Sequence, residues 1–225
     1  MAAIAREAGV LFAVDNCFCT PALQRPLELG ADVVVHSATK YLDGQGRVLG
    51  GAVAGSKAVA DEVLKFLRTA GPTLSPFNAF QILTGIETLG LRMQKHSDNS
   101  KAVAEWLESH PAVAWVNYAG LPDHPDHALV QRYMGGRASG ILSFGVRGGF
   151  EAGARFQDAL QLVTRLVNIG DAKSLACHPA STTHRQLSGD ELSRAGVTPD
   201  MVRLSIGIEH IDDIIADIER ALAAV

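Results

Sequence analysis

Val33-Val34-Val35-His36-Ser37-Ala38-Thr39-Lys40 reads as an apolar strand that ends in two hydroxyls and an amine. An earlier apolar run, Leu11-Phe12-Ala13-Val14, ends in the same way on a carboxylate, Asp15. A short helix around Ala22–Leu29, closed by Gly30, joins the two runs. Such strand–helix–strand alternation implies parallel pairing with a right-handed crossover. Ligands of open α/β sheets bind outside the carboxyl ends of the strands, so Asp15, Ser37, Thr39 and Lys40 are expected to face one crevice.

One carboxylate, one amine and two hydroxyls match the needs of pyridoxal phosphate (PLP). Lysine joins its aldehyde, hydroxyls hold its phosphate, and a carboxylate pairs with its pyridinium nitrogen. The same residues also have plainer uses. Lysine after a strand is commonly a solvated loop residue, and Asp15-Asn16 is a common Asx-turn or helix cap. Ser and Thr beside a lysine often cap the next helix. From these residues alone both readings stand.

Alternation continues with a glycine-rich segment, Leu42 to Gly51, expected to be a flexible loop, then strand Ala52–Ala54 and helix Lys57–Thr69. Two prolines in Gly71-Pro72-Thr73-Leu74-Ser75-Pro76 mark a break. From Phe77 to Glu108, apolar Phe80, Leu83, Ile86, Leu89 and Met93 recur at helical spacing, with kinks expected at Gly85 and Gly90. A domain boundary is placed inside this stretch, giving domains 1–95 and 96–225. Past it the rhythm changes. Strands are expected at Ala112–Tyr118, Gly140–Val146 and Met201–Ile208, a strand or turn near Leu166–Ile169, and a further segment at Ser174–His178. Helices are expected at Ala128–Tyr133, Glu151–Gln161 and Ile211–Ala224, the last with an isoleucine stripe opposite acids. The fold class is therefore α/β: a largely parallel sheet followed by a smaller α+β domain with a mostly antiparallel sheet.

The chain has 225 residues, 47% hydrophobic and 20% charged, with a net charge of −4. That is the composition of a globular protein with ample core, and it carries no basic block for nucleic acid or an anionic membrane. Apolar runs are too short to span a bilayer, and the first residues lack the pattern of a signal peptide. Three cysteines, Cys17, Cys19 and Cys177, argue against a disulfide framework and for a reducing cytoplasm. Their spacing fits no common zinc site, so no metal is expected. His124-Pro125-Asp126-His127 reads as a proline-stiffened surface loop.

Ala13-Val14-Asp15-Asn16-Cys17-Phe18-Cys19-Thr20-Pro21-Ala22-Leu23-Gln24-Arg25-Pro26-Leu27, running on to His36-Ser37-Ala38-Thr39-Lys40-Tyr41, resembles the Cys/Met-metabolism PLP enzymes of fold type I. The likeness resumes in Lys173-Ser174-Leu175-Ala176-Cys177-His178-Pro179-Ala180-Ser181-Thr182-Thr183-His184 and ends in Val202-Arg203-Leu204-Ser205-Ile206-Gly207-Ile208-Glu209. It covers essentially the whole chain. The segment Asp43-Gly44-Gln45-Gly46-Arg47 looks most like O-succinylhomoserine sulfhydrylases, while Asn168 to Leu175 is equally at home in O-acetylhomoserine sulfhydrylases.

The resemblance implies that Lys40 binds PLP covalently and moves protons at the substrate, that Asp15 pairs with the pyridinium nitrogen, and that Ser37 and Thr39 contact the phosphate. It implies that Arg203 grips the substrate α-carboxylate with its planar fork, with Ser174, Thr183 and less directly His184 near it. The implied reaction is γ-replacement on an activated homoserine by sulfide to give homocysteine, in methionine biosynthesis. A γ-lyase or cystathionine synthase of the same family, and a non-catalytic fragment that assembles with full-length homologues, are the alternatives. Full members are nearly twice this long. The resemblance places before Met1 a phosphate-binding glycine loop, a tyrosine that stacks on the ring and a Tyr-and-Arg pair that reaches a neighbouring subunit. A homo-oligomer, or a partner carrying that half, is expected, and the 225-residue chain by itself is expected to be nearly inactive.

Overall fold

The computed structural model describes all of Met1–Val225, which form two compact units, Met1–Leu91 and Arg92–Val225. In the first unit, α1 (Ala2–Glu7) leads to β1 (Ala13–Asp15) and a one-turn helix, α2 (Thr20–Leu23). The helix expected over Ala22–Leu29 is split. Pro26 lacks an amide proton and starts a separate 3₁₀ turn, Pro26–Leu29, closed by Gly30 at φ +92°. Next, β2 (Val33–Ser37) pairs in parallel with β1, Asp15 lying opposite Val35. Its other neighbour, β3 (Gly51–Gly55), runs antiparallel, so this three-stranded sheet is mixed.

Between β2 and β3 the glycine-rich segment is tethered rather than loose. Asp43, fully buried, accepts hydrogen bonds from the Arg47 amide and Nε, both at 2.9 Å, and from the Gln45 amide at 3.3 Å. Ser56 caps α3 (Lys57–Ala70) and Ser75 caps α4 (Pro76–Glu87). Gly85 of α4 lies against the backbone of Leu42 and Asp43, where a Cβ would overlap both carbonyl oxygens. The long helical stretch breaks at Thr88 and resumes as α5 (Leu89–Glu108), within which the division between units falls.

The second unit adds β4 (Val113–Asn117), α6 (His127–Met134), β5 (Ile141–Val146), α7 (Gly149–Ala159), β6 (Thr164–Arg165), β7 (Leu175–Cys177), α8 (Gly189–Arg194), β8 (Met201–Ser205) and α9 (Ile211–Leu222). The strand order is β4-β5-β8-β7-β6, antiparallel except for the parallel β6–β7 pair. Alternation along β8 sends Val202 and Leu204 into the core, where Val103 and Leu107 of α5, Phe156 of α7 and Ile214 and Ile218 of α9 also meet. Phe144 and Phe156 meet edge to face at 5.4 Å between centroids. Each such large side chain contributes about 1.5–3 kcal/mol on leaving water. Arg203, between the two inward residues of β8, is left for the opposite face of the sheet.

His96 of α5 is buried in this unit, and its Nδ1–H donates to the Ile206 carbonyl at 2.7 Å. Burial pushes its pKa down from 6.5 to about 4, against a smaller upward pull from that hydrogen bond. The folded state therefore binds this proton only near pH 4, whereas the unfolded chain binds it near 6.5. Stability from a neutral His96 is complete above pH 6.5 and drains away as the pH falls towards 4, by about 3 kcal/mol at most. Urea titrations at pH 7 and pH 4.5 are expected to show that loss in the native chain. His96→Asn, which keeps a donor for Ile206, is expected to flatten it.

Candidate active site

In the first unit the site residues gather where β1 and β2 end. Asp15 closes β1, and Ser37 closes the neighbouring parallel strand. Ala38–Leu42 then form one wide helical turn, in which the Asp43 amide reaches back to the Ala38 carbonyl at 2.9 Å. Lys40 sits inside that turn with φ −87° and ψ −130°, well outside helical values, so the chain turns at the lysine itself. Thr39 Oγ1 accepts the Gly50 amide at 3.1 Å, and the Ala38 amide donates to the Gly50 carbonyl at 2.9 Å. The start of β3 thus braces the turn that presents Thr39 and Lys40.

Cys17, to which sequence reasoning assigns neither a disulfide nor a zinc role, links these groups. The Ser37 amide donates to Cys17 Sγ at 2.7 Å, and the Cys17 thiol and amide both hydrogen-bond the Asp15 carboxylate, the amide at 2.9 Å. Those two bonds, the thiol's first, hold the Asp15 pKa below its ordinary value. Desolvation and then the bond to Asp15 push the Cys17 thiol up, while the Ser37 amide and, more weakly, the charge of Lys40 pull it down. One thiol therefore feels both the carboxylate and the amine. An ionised carboxylate, an amine and two partly buried hydroxyl residues at one end of a sheet are a donor set that could hold PLP, with Asp15 available to its ring nitrogen, Lys40 to its aldehyde, and Ser37 and Thr39 to its phosphate.

In the second unit Arg203 and His184 line one cavity of about 620 Å³, together with Asn117, His124 and Ser143. An Arg203 Nη2–H donates to the Val167 carbonyl, which orients the guanidinium. Thr183 Oγ1 pairs with His184 Nδ1 at 2.8 Å on the segment after the Pro179–Ser181 turn. Ser174 stands apart from that cavity. It is fully buried, and its amide, carbonyl and hydroxyl are all bonded inside the unit, to Glu209, the Thr164 amide, and Glu209 with the Gly207 amide. Its side chain works on the backbone around it. Glu209 and Asn99, whose amide holds the Gly207 and Glu209 carbonyls at 3.0 Å each, escaped sequence reasoning. Both act across more than 30 residues of chain, which no local pattern marks.

The three-stranded sheet, the lysine-bearing turn and the following α+β unit are those of a PLP-dependent enzyme of fold type I. A Campylobacter jejuni protein designated an O-acetylhomoserine (thiol)-lyase, which carries N'-pyridoxyl-lysine-5'-monophosphate, superimposes with a TM-score of 0.92 at 38% identity over 99% of this chain and 61% of its own. The model of the Cys/Met metabolism PLP-dependent enzymes matches residues 1–223, and the chain belongs to that family. Among curated relatives, an O-succinylhomoserine sulfhydrylase of Pseudomonas aeruginosa is 54% identical over 224 residues, all of this chain and 55% of the relative. An L-methionine gamma-lyase of Pseudomonas putida is 47% identical over 226 residues, all of this chain and 56% of the relative. The chain thus spans just over half the length of these curated relatives. No helix is long and apolar enough to cross a membrane.

Proposed function

We propose that this chain is the part of a PLP-dependent sulfhydrylase that holds the reactive lysine, and that the whole protein replaces the acyl group of an activated homoserine with sulfide to give homocysteine. The observation that carries this reading is 54% identity, along the entire chain, to an O-succinylhomoserine sulfhydrylase. PLP would supply an electron sink for negative charge formed on the substrate carbons. The chain's own residues do the rest. Lys40 would anchor the cofactor and then carry protons at the carbons next to it. Asp15, kept ionised by the Cys17 thiol and amide, would hold a proton on the ring nitrogen. Ser37 and Thr39 would bind phosphate, and Arg203 would fix the α-carboxylate in a bidentate grip that lysine could not reproduce. Thr183, bonded to His184, is assigned to the substrate as well, and Ser174 to the support of the carboxylate end. The expected setting is a cytoplasmic homo-oligomer, or a complex with a chain supplying the other half of the relatives' length.

The 47% identity to an L-methionine gamma-lyase favours elimination as a second reading. Product analysis separates the two. Whole protein supplied with O-succinylhomoserine and sulfide is expected to form homocysteine at least about tenfold faster than it releases 2-oxobutyrate from methionine. The reverse ratio would establish the lyase. O-acetylhomoserine run in parallel identifies the acyl group. The 225-residue chain assayed alone is expected to show little turnover, and robust turnover there would refute that part of the reading.

A further inference from the structure

The segment from Val167 to Ser174 is bound to β8 and to the turn that follows it by a ladder of contacts. Arg203 Nη2–H reaches the Val167 carbonyl, and the Gly170 amide donates to Ser205 Oγ at 2.9 Å. The Ile208 amide donates to the Ala172 carbonyl at 2.9 Å. The last rung is the Glu209 carboxylate, which accepts from the Ser174 amide at 2.6 Å and from Ser174 Oγ at 3.0 Å. That hydroxyl in turn accepts the Gly207 amide at 2.8 Å. Gly207 leaves room for this arrangement, since a Cβ there would overlap Glu209 Oε2 and the Ala172 carbonyl. Asn99, itself buried, holds the Gly207 and Glu209 carbonyls from the α5 side.

We propose that Glu209 is a positioning residue for Arg203: by clamping Ser174 it fixes the 167–174 segment, and so the Val167 carbonyl that orients the guanidinium. Both the amide and the hydroxyl of Ser174 donate to one carboxylate, so loss of Glu209 leaves two donors unsatisfied in a fully buried residue. The segment then keeps only its single-bond rungs. Arg203 loses its fixed carbonyl partner and samples more orientations. The inference rests on the assignment of Arg203 to the substrate α-carboxylate, because only then does its orientation matter to catalysis.

The rate at which phenylglyoxal modifies Arg203, read by mass mapping on the 225-residue chain, reports this directly and needs no turnover. Glu209→Ala is expected to raise that rate at least about fivefold, and Glu209→Gln, which keeps one acceptor for Ser174, less than about twofold. Asp217→Asn, which weakens a carboxylate site on α9 in the same unit, serves as a control and is expected to leave the rate unchanged at a temperature where both variants are folded. An unchanged rate in Glu209→Ala, or equal acceleration in Asp217→Asn, would overturn the proposal. In the PLP-loaded whole protein, Arg203→Lys is expected to raise KM for O-succinylhomoserine at least about tenfold. Unchanged KM in that variant would overturn the Arg203 assignment, while the modification rates still decide whether Glu209 positions the guanidinium.

Discussion

Lys40→Ala is expected to abolish the pyridoxyl adduct that borohydride fixes on the PLP-loaded whole protein. Peptide mapping of the native protein should place the label on the peptide that contains Lys40, and the variant should lose at least about twentyfold of it. The size of the effect follows from the geometry. Lys40 is the amine just past the β2 end, on a turn braced by Gly50, and Cys17, which bonds Asp15, lies within reach of its charge. Lys57 and Lys65 lie on the exposed face of α3 and offer no such surroundings. Lys40→Arg is the sharper control, for it keeps a positive charge on the same turn but cannot join an aldehyde. Label retained at Lys40-independent positions in both variants would remove the cofactor assignment. Asp15→Ala is expected to keep the label but to loosen PLP by about ten- to a hundredfold, the worth of one hydrogen bond to a charged group.

The ends of β1 and β2 were legible because both are short apolar runs stopped by a polar side chain, and a period-free apolar run of that length reads as a buried strand. What the residues could not show was how the lysine is presented. A wide turn that bends at Lys40 has no sequence signature, and the Gly50 contacts that brace it come from the far side of the 43–50 segment. That segment reads as loose from its glycines. Buried Asp43, pairing with Arg47 four residues on, is what fixes it, and nothing local shows that an acid beside glycines will be buried.

In the second unit the main strands and α9 follow from periodicity, whereas β6 does not. It lies at Thr164–Arg165, before the apolar Leu166–Ile169 run, because the Thr164 and Leu166 amides take the carbonyls of Ser174, just before β7, and Ala176, within it. A two-residue parallel strand is too short to alternate. The α8 helix carries a local start signal, since Ser188 and Glu191 form a reciprocal capping box. Ser174 marks the limit most clearly. The resemblance brings it near the substrate carboxylate, and the fold shows its hydroxyl spent on Glu209 and Gly207, partners more than 30 residues away.

A similar long-range carboxylate accounts for the largest stability effect expected in this chain. Asp217 of α9 is only 2% exposed, and it accepts the Gln161, Leu162 and Val163 amides, the last two at 2.9 and 2.8 Å, with Arg220 as its ion partner. The chain leaves α7 at Leu160 and must turn into β6 there, so these three amides have no helix or sheet partner of their own. Asp217→Ala leaves the buried Val163 amide unpaired at about 1–3 kcal/mol, while the Gln161 and Leu162 amides, closer to solvent, lose less, so the total should be about 2–4 kcal/mol. Asp217→Asn keeps one oxygen and should cost about half as much. Chemical denaturation would show a lower midpoint at unchanged slope if the native unit persists. Arg220→Ala separates the contributions: nearly half of its side chain is exposed, so it should cost under about 1 kcal/mol, and a loss as large as that of Asp217→Ala would assign the stability to the ion pair instead.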